Sequence, residues 1–247
     1  MDLGLSGRTA AVAGASSGLG FASARALAAE GVRVAICGRD RERIEAAAAR
    51  IDGAVPLVAD VSTVAGATGF VEAAVDALGQ VDILVPNAGG PPPGTFASTP
   101  LDAYAPAIEL NLLSTVAMCH AAVPAMCERG WGRVVAITSV SVRQPIGSLI
   151  LSNTARAGVT GFLKTLALEV AGRGVTVNSV QPGLHLTERA RALYRGDTSG
   201  AAADIPAGAL GDPDDFGAVV TFLCSDHARF VVGAALPVDG GTYQGLQ

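Results

Sequence analysis

Aromatic side chains are scarce in this 247-residue chain, at 4%, and charged residues reach only 16%. Low charge with 50% hydrophobic residues excludes a disordered chain. With so few rings, the core has to be built from Ala, Val, Leu and Ile. A single lysine, Lys164, stands among 17 basic residues, and the net charge is −5. That leaves no basic stripe of the kind a nucleic-acid binder carries. The four cysteines, Cys37, Cys119, Cys127 and Cys224, form no CxxC pair, and three histidines offer no zinc spacing. No metal is expected, and the thiols read as small buried hydrophobes in a reducing compartment. The 31 glycines follow no triplet period, which excludes collagen. The start of the chain lacks a basic segment followed by an apolar one, so no signal peptide is expected. The uncharged stretch from Asn111 to Cys127 contains Asn, Ser, His and Pro and falls short of the ~20 apolar residues of a membrane span. A soluble cytoplasmic protein with no nucleic-acid or membrane partner is expected.

What is present is alternation. Short β-branched runs at Thr9–Ala13, Val32–Cys37, Ala54–Ala59, Val81–Val85, Arg133–Thr138, Val175–Val180 and Ala235–Val238 are separated by Ala-rich helical segments. Runs that are apolar at nearly every position suit strands buried on both faces. The βαβ alternation predicts an α/β fold: a Rossmann-like, doubly wound parallel sheet of about seven strands with helices on both faces. No linker or change of composition divides the chain, so residues 1–247 are read as one domain. At this length about 70–75% of the unfolded surface can be buried. Gly90–Thr99, with three consecutive prolines, and Leu184–Gly208 read as functional loops at strand ends.

After the first run comes Gly14-Ala15-Ser16-Ser17-Gly18-Leu19-Gly20. Read as G-x-x-x-G-x-G, it is a dinucleotide turn: its glycines let the backbone approach a pyrophosphate on the N-terminus of the following helix. Read as G-x-S-x-G, it mimics a hydrolase nucleophile elbow. An elbow follows a later strand, with an oxyanion loop upstream, and nothing precedes this turn to supply one. A turn that merely packs helix on strand is the bland alternative. The second run ends at Cys37-Gly38-Arg39. A carboxylate at that end suits the ribose of NAD and an arginine suits the 2′-phosphate of NADP, so Arg39 points to NADP(H). Otherwise Arg39 is a surface residue opening an exposed helix.

With Gly14-xxx-Gly18-x-Gly20, Asp60-Val61, Asn87-Ala88-Gly89, Asn111, Ser139, Pro182-Gly183 and a Val238-Asp239-Gly240-Gly241 ending, the chain resembles the short-chain dehydrogenase/reductases over its whole length. It most resembles the 3-oxoacyl-carrier-protein reductase-like members. The resemblance implies that the Gly14–Gly20 turn, with Ser16, Ser17 and Leu19, receives the cofactor. It implies that Asp60 and Val61 hold the adenine, that Asn87 to Gly89 wall the pocket, and that Thr187 meets the nicotinamide amide. It also implies a homo-oligomer, expected to be a tetramer. The apolar stretches Val219–Cys224 and Phe230–Val238 agree with that.

In that family Asn, Ser, Tyr and Lys form the active site. Asn111 and Ser139 match, and Ser139 is preferred to Ser141 on its spacing to position 152. The Tyr-x-x-x-Lys pair does not match: Ser152 and Arg156 stand there, and the only tyrosines are Tyr104, Tyr194 and Tyr243. Arg156 keeps a charge for the cofactor ribose, but a serine hydroxyl is a poor replacement for a phenol as acid. Other candidates are His185, Tyr194 and Arg143, each with a plain loop role as alternative; His120 and His227 read as structural. The expected function is NADP-dependent interconversion of a carbonyl and an alcohol at an atypical site, with a small-molecule partner. The alternatives are a non-redox enzyme (lyase, isomerase or cyclase) and a non-catalytic nucleotide-binding protein.

Overall fold

The computed structural model describes residues 1–193 and 199–246. Seven parallel strands form one sheet in the order β3-β2-β1-β4-β5-β6-β7. They are β1 (Thr9–Val12), β2 (Arg33–Gly38), β3 (Val55–Val58), β4 (Ile83–Val85), β5 (Gly132–Ile137), β6 (Val175–Pro182) and β7 (Ala235–Val238). Each grows from one of the β-branched runs, with ends moved by two residues at most. The central strands β1, β4 and β5 are buried throughout, whereas the edge strands β3 and β7 are partly open. This is what runs of Val, Ile and Ala require, since only two covering helical layers bury both faces of a strand.

The helices are α1 (Gly18–Ala29), α2 (Arg41–Ala48), α3 (Val64–Leu78), α4 (Tyr104–Ile108), α5 (Ser114–Arg129), α6 (Ile150–Val170), α7 (Glu188–Leu193), α8 (Ser199–Ala202) and α9 (Pro213–Cys224). Two cores separate them. On one face Phe70 and Ala74 of α3, Met118 and Met126 of α5, and Leu163 of α6 pack on alternate strand residues such as Val134 and Val177. On the other, Phe21 and Leu27 of α1, Ile44 of α2 and Phe216 of α9 pack on Ile36, Val135 and Val180. In α6 the buried positions Ser152, Ala155, Val159, Leu163, Ala167 and Val170 recur every three or four residues, the stripe of a helix with one inward face.

The order reverses between β1 and β4. In doubly wound sheets the crevice for a ligand opens at such a switch point, beyond the carboxyl ends of the strands. A π-helical turn, Glu109–Leu113, joins α4 to α5. The resulting helical run Leu101–Arg129 is longer than the sequence implied and passes for a membrane span by length and composition. It is a core helix here: Met118, Cys119, Ala122 and Met126 are all buried against the sheet.

Candidate active site

The glycine turn follows β1 directly at the switch point. Gly14 and Gly18 have φ of +57° and +61°, conformations that favour glycine. Gly20 is demanded by space instead, because a Cβ there would lie 2.6 Å from the Gly14 carbonyl oxygen and 2.8 Å from Asn87 Nδ2. Asn87, at the end of β4, holds the turn from the neighbouring strand. Its Nδ2 donates to the carbonyls of Ala13 at 3.2 Å and Gly14 at 3.1 Å. The expectation was a pocket wall at Asn87; what the structure shows is a strut. From the other side, the Ala15 amide donates to the Cys37 carbonyl of β2. The Cys37 thiol lies beneath the turn, and burial pushes its pKa up to about 12 despite a bond from the Gly14 backbone. It stays a neutral thiol.

Ser17 is the N-cap of α1, yet its side chain caps nothing. Four other α-helices among the described residues are capped: Asp40 accepts from the Arg43 amide, Thr63 from Gly66, Thr187 from Ala190 and Asp212 from Asp214. The first-turn amides of α1 therefore keep their donor capacity at the positive end of a helix dipole. Ser16 flanks the turn on the β2 side, where a Cβ on Gly38 would lie 3.3 Å from the Ser16 Cβ. Residues in this cradle, from Gly14 to Gly20, have the shape and donors that a dinucleotide pyrophosphate needs.

Arg39 is exposed at the end of β2. Asp60, also exposed, follows β3, and Val61 is buried beside it in the core. Burial acts to raise the Asp60 pKa, but bonds from Ser62 and the nearby Arg39 charge outweigh it and hold the carboxylate low. Arg39 and Asp60 thus lie near each other, beyond the carboxyl ends of β2 and β3. The loop after β6 covers the turn: Thr187 Cγ2 lies 3.5 Å from where a Gly18 Cβ would be, while its Oγ1 accepts from the Ala190 amide and caps α7.

At the carboxyl end of β5, Ser139 Oγ accepts from the Ser141 amide at 3.1 Å, which fixes the hydroxyl and leaves its proton to be donated. Asn111 sits in the π-helical turn, with Nδ2 donating to the Gly89 carbonyl at 2.9 Å. Its Oδ1 is buried and finds no partner among the described residues. π-turns inside helices commonly mark functional positions, and this one turns Asn111 toward the Asn87–Gly89 loop. Ser152, on the inward stripe of α6, is buried at 7% exposed. Arg156, one turn on, donates through Nη1 to the carbonyls of Ile137 at 3.2 Å and Thr138 at 2.9 Å. Its guanidinium is tied to the end of β5, next to Ser139.

The other candidates among the described residues have packing or backbone-bonding partners or lie exposed. His185 is 5% exposed, edge-on to Phe216 at 5.1 Å, with Nδ1 against the Gly183 carbonyl. Burial lowers its pKa, so the ring is a neutral packing element rather than an acid at the cofactor. Arg143 Nη2 donates to the Ala235 carbonyl of β7 at 2.7 Å. His120 is exposed on α5, and His227 Nε2 pairs with the Asp2 carbonyl. Tyr194 lies outside the described residues.

The family model described as enoyl-(acyl carrier protein) reductase matches residues 14–243. The 3-oxoacyl-(acyl-carrier-protein) reductase of Escherichia coli is 36% identical over 238 residues, covering 96% of this chain and 98% of that protein. D-threitol dehydrogenase of Mycolicibacterium smegmatis is 34% identical, covering 97% and 94%. Among solved structures, L-sorbose reductase from Gluconobacter frateurii complexed with NADPH and L-sorbose superimposes with a TM-score of 0.94 at 32% identity, over 100% of both chains. The glycine cradle at the switch point and these full-length likenesses agree: the chain belongs to the short-chain dehydrogenase/reductase family, on its 3-oxoacyl-carrier-protein reductase-like side.

Proposed function

We propose that this chain is an NADP(H)-dependent oxidoreductase that interconverts a carbonyl and an alcohol at an atypical site. The observation that carries the reading is the uncapped first turn of α1, cradled by Gly14, Gly18 and Gly20 and overlain by Thr187. Its amides receive the pyrophosphate. Asp60 and Val61 border the adenine, and Asn87 and Gly89 the ribose side. Arg39, with no carboxylate at the end of β2, pairs with a 2′-phosphate. A charge-assisted bond of that kind contributes about 1.5–3 kcal/mol. NADPH bound in an NADPH-complexed relative of equal length supports the same preference.

Reduced nicotinamide, when bound, supplies the hydride. The protein supplies orientation and polarisation. Ser139 Oγ–H donates to the substrate oxygen, and Arg156 adds positive charge beside the developing alkoxide. Arginine does not give up its proton at working pH. Serine at 152 is likewise too weak an acid to stand in for a phenol. The proton therefore comes from water held by Asn111 Oδ1, Ser139 and Ser152. Losing a positioned general acid costs about 10²–10⁴-fold in rate, so slow turnover is expected.

Phe222 on α9, Phe230 ahead of β7 and Leu236 on the open edge strand β7 are exposed, at 43%, 98% and 37%. They support a homo-oligomer, with a tetramer as the assembly. The four free thiols, all buried, fit a cytoplasmic setting. Titration calorimetry with NADPH and NADH, on the parent and on Arg39→Ala, tests the cofactor reading. Tighter NADPH binding that is lost in the variant is expected; equal parent affinities for both cofactors would overturn it.

A further inference from the structure

Four buried polar atoms without a partner among the described residues gather around α6: Asn111 Oδ1, Ser141 Oγ, and both Nε2 and Oε1 of Gln181. The π-helical turn, the 3-10 turn Val140–Val142 and β6 that carry them all pack on that helix. Gln181 is the extreme case. It is 0% exposed, and neither end of its carboxamide is bonded. Leaving such a group unbonded is costly relative to an apolar replacement. Buried polar groups left in this condition point to water or to a functional contact.

Its location narrows the choice. Side chains alternate along a strand, so Gln181 shares the face of Val177, which packs in the core with Val159 and Leu163 of α6. Thr138 lies level with it on the neighbouring strand, because the Thr138 amide donates to the Val180 carbonyl at 2.9 Å. The Arg156 guanidinium reaches that same level from α6, at the Thr138 carbonyl. Carboxamide and guanidinium therefore lie on one face of the sheet, at the level of Thr138.

We propose that Gln181 is a positioning residue for Arg156, acting through a buried water that its carboxamide holds against the guanidinium. Arginine offers only donors, so the water accepts from Arg156 and donates to Gln181 Oε1. Three-fold bonding of a buried water is ordinary, and the Thr138 carbonyl lies within the same corner. The water fixes the plane of the guanidinium beside Ser139. The part of this proposal that concerns turnover rests on the oxidoreductase reading; the part that concerns water and Arg156 does not.

The test pairs a high-resolution crystal structure with kinetics, on the full chain, for the parent, Gln181→Met and Gln181→Glu. Methionine keeps the volume and removes the hydrogen bonding. Glutamate keeps the acceptor. The parent is expected to show an ordered water within hydrogen-bond distance of both Gln181 and Arg156. Gln181→Met is expected to lose that water, to shift the guanidinium, to keep or raise Tm, and to lose about tenfold in kcat with KM for the ketone nearly unchanged. Gln181→Glu is expected to restore the water and part of the rate. A parent without the water, or Gln181→Met with Arg156 unmoved, overturns the proposal. If Gln181→Met does not fold, Gln181→Glu with the water and Arg156 placed as in the parent supports it, and displacement of either refutes it. A parent that reduces no ketone refutes the oxidoreductase reading alone, and the water and guanidinium still decide this one.

Discussion

Replacing Gly20 by alanine tests whether the glycine turn is built for close packing. A Cβ at 20 would lie 2.6 Å from the Gly14 oxygen, 2.8 Å from Asn87 Nδ2 and 3.1 Å from the Ala13 oxygen. Ordinary contact starts near 3.4 Å, so the turn has to open by about 0.8 Å. Two of the three obstacles are backbone, which cannot rotate away. Overpacking of this kind costs about 1–3 kcal/mol, offset by at most ~1 kcal/mol of helix propensity. A net loss of about 1–2 kcal/mol lowers Tm by about 2–8 °C in a chain of this size. The displaced amides also leave the pyrophosphate position, so NADPH affinity falls at least about tenfold, one lost charge-assisted bond. Gly18→Ala makes the contrast: its Cβ meets Thr187 at 3.5 Å without a clash, and only its positive φ costs, at about 1–2 kcal/mol. Adding Asn87→Ala to Gly20→Ala removes one obstacle, so the two substitutions are less than additive. Thermal unfolding with titration calorimetry reads all of this. Gly20→Ala with parent Tm and parent NADPH affinity would refute the reasoning.

Ser152→Tyr together with Arg156→Lys is expected to raise carbonyl reduction and bring in the pH profile of a phenol, measured by single-turnover hydride transfer; an unchanged profile would mean that the pocket excludes the ring. Arg156→Ala is expected to weaken cofactor binding and destabilise the end of β5, which loses two bonds to its carbonyls, as read by calorimetry and thermal unfolding. Asp60, whose folded pKa is lowered, contributes stability above the ordinary carboxylate range and loses it as pH falls through the folded value. The Tm difference between the parent and Asp60→Asn should therefore shrink on acidification, and only slightly overall, since the group is exposed. Light scattering at micromolar concentration is expected to give an oligomer that Phe230→Asp weakens; a monomeric parent would contradict that surface role.

The fold was legible because each strand is a compact β-branched run between glycines and helices, and the glycine turn stood out because φ above zero and close approach both demand glycine. Pairing across distance was not legible. His185 looked like a loop acid, yet its environment is made by Phe216, 31 residues further on and brought in by α9. Asn87 read as a pocket wall, and its bonds to Ala13 and Gly14 appear only when β4 lies beside β1. The reach of Arg156 to Ile137 and Thr138 depends on α6 crossing β5, which no local pattern encodes. The π-helical turn at Asn111 had no signature in the local sequence. Ser152 and Arg156 were singled out only through the resemblance to the family, whose pattern has Tyr and Lys at those positions.

Single-turnover oxidation of bound NADPH is the direct test of hydride transfer at a site without the phenol. The parent and Ser139→Ala are mixed with NADPH and a panel of ketones while the absorbance of the reduced nicotinamide is followed, with binding measured separately. The account predicts tight NADPH binding by both proteins, slow oxidation by the parent with at least one ketone, and a large loss of that rate in Ser139→Ala. NADPH bound by the parent but oxidised by none of the ketones, or oxidised equally fast without the Ser139 hydroxyl, would contradict it.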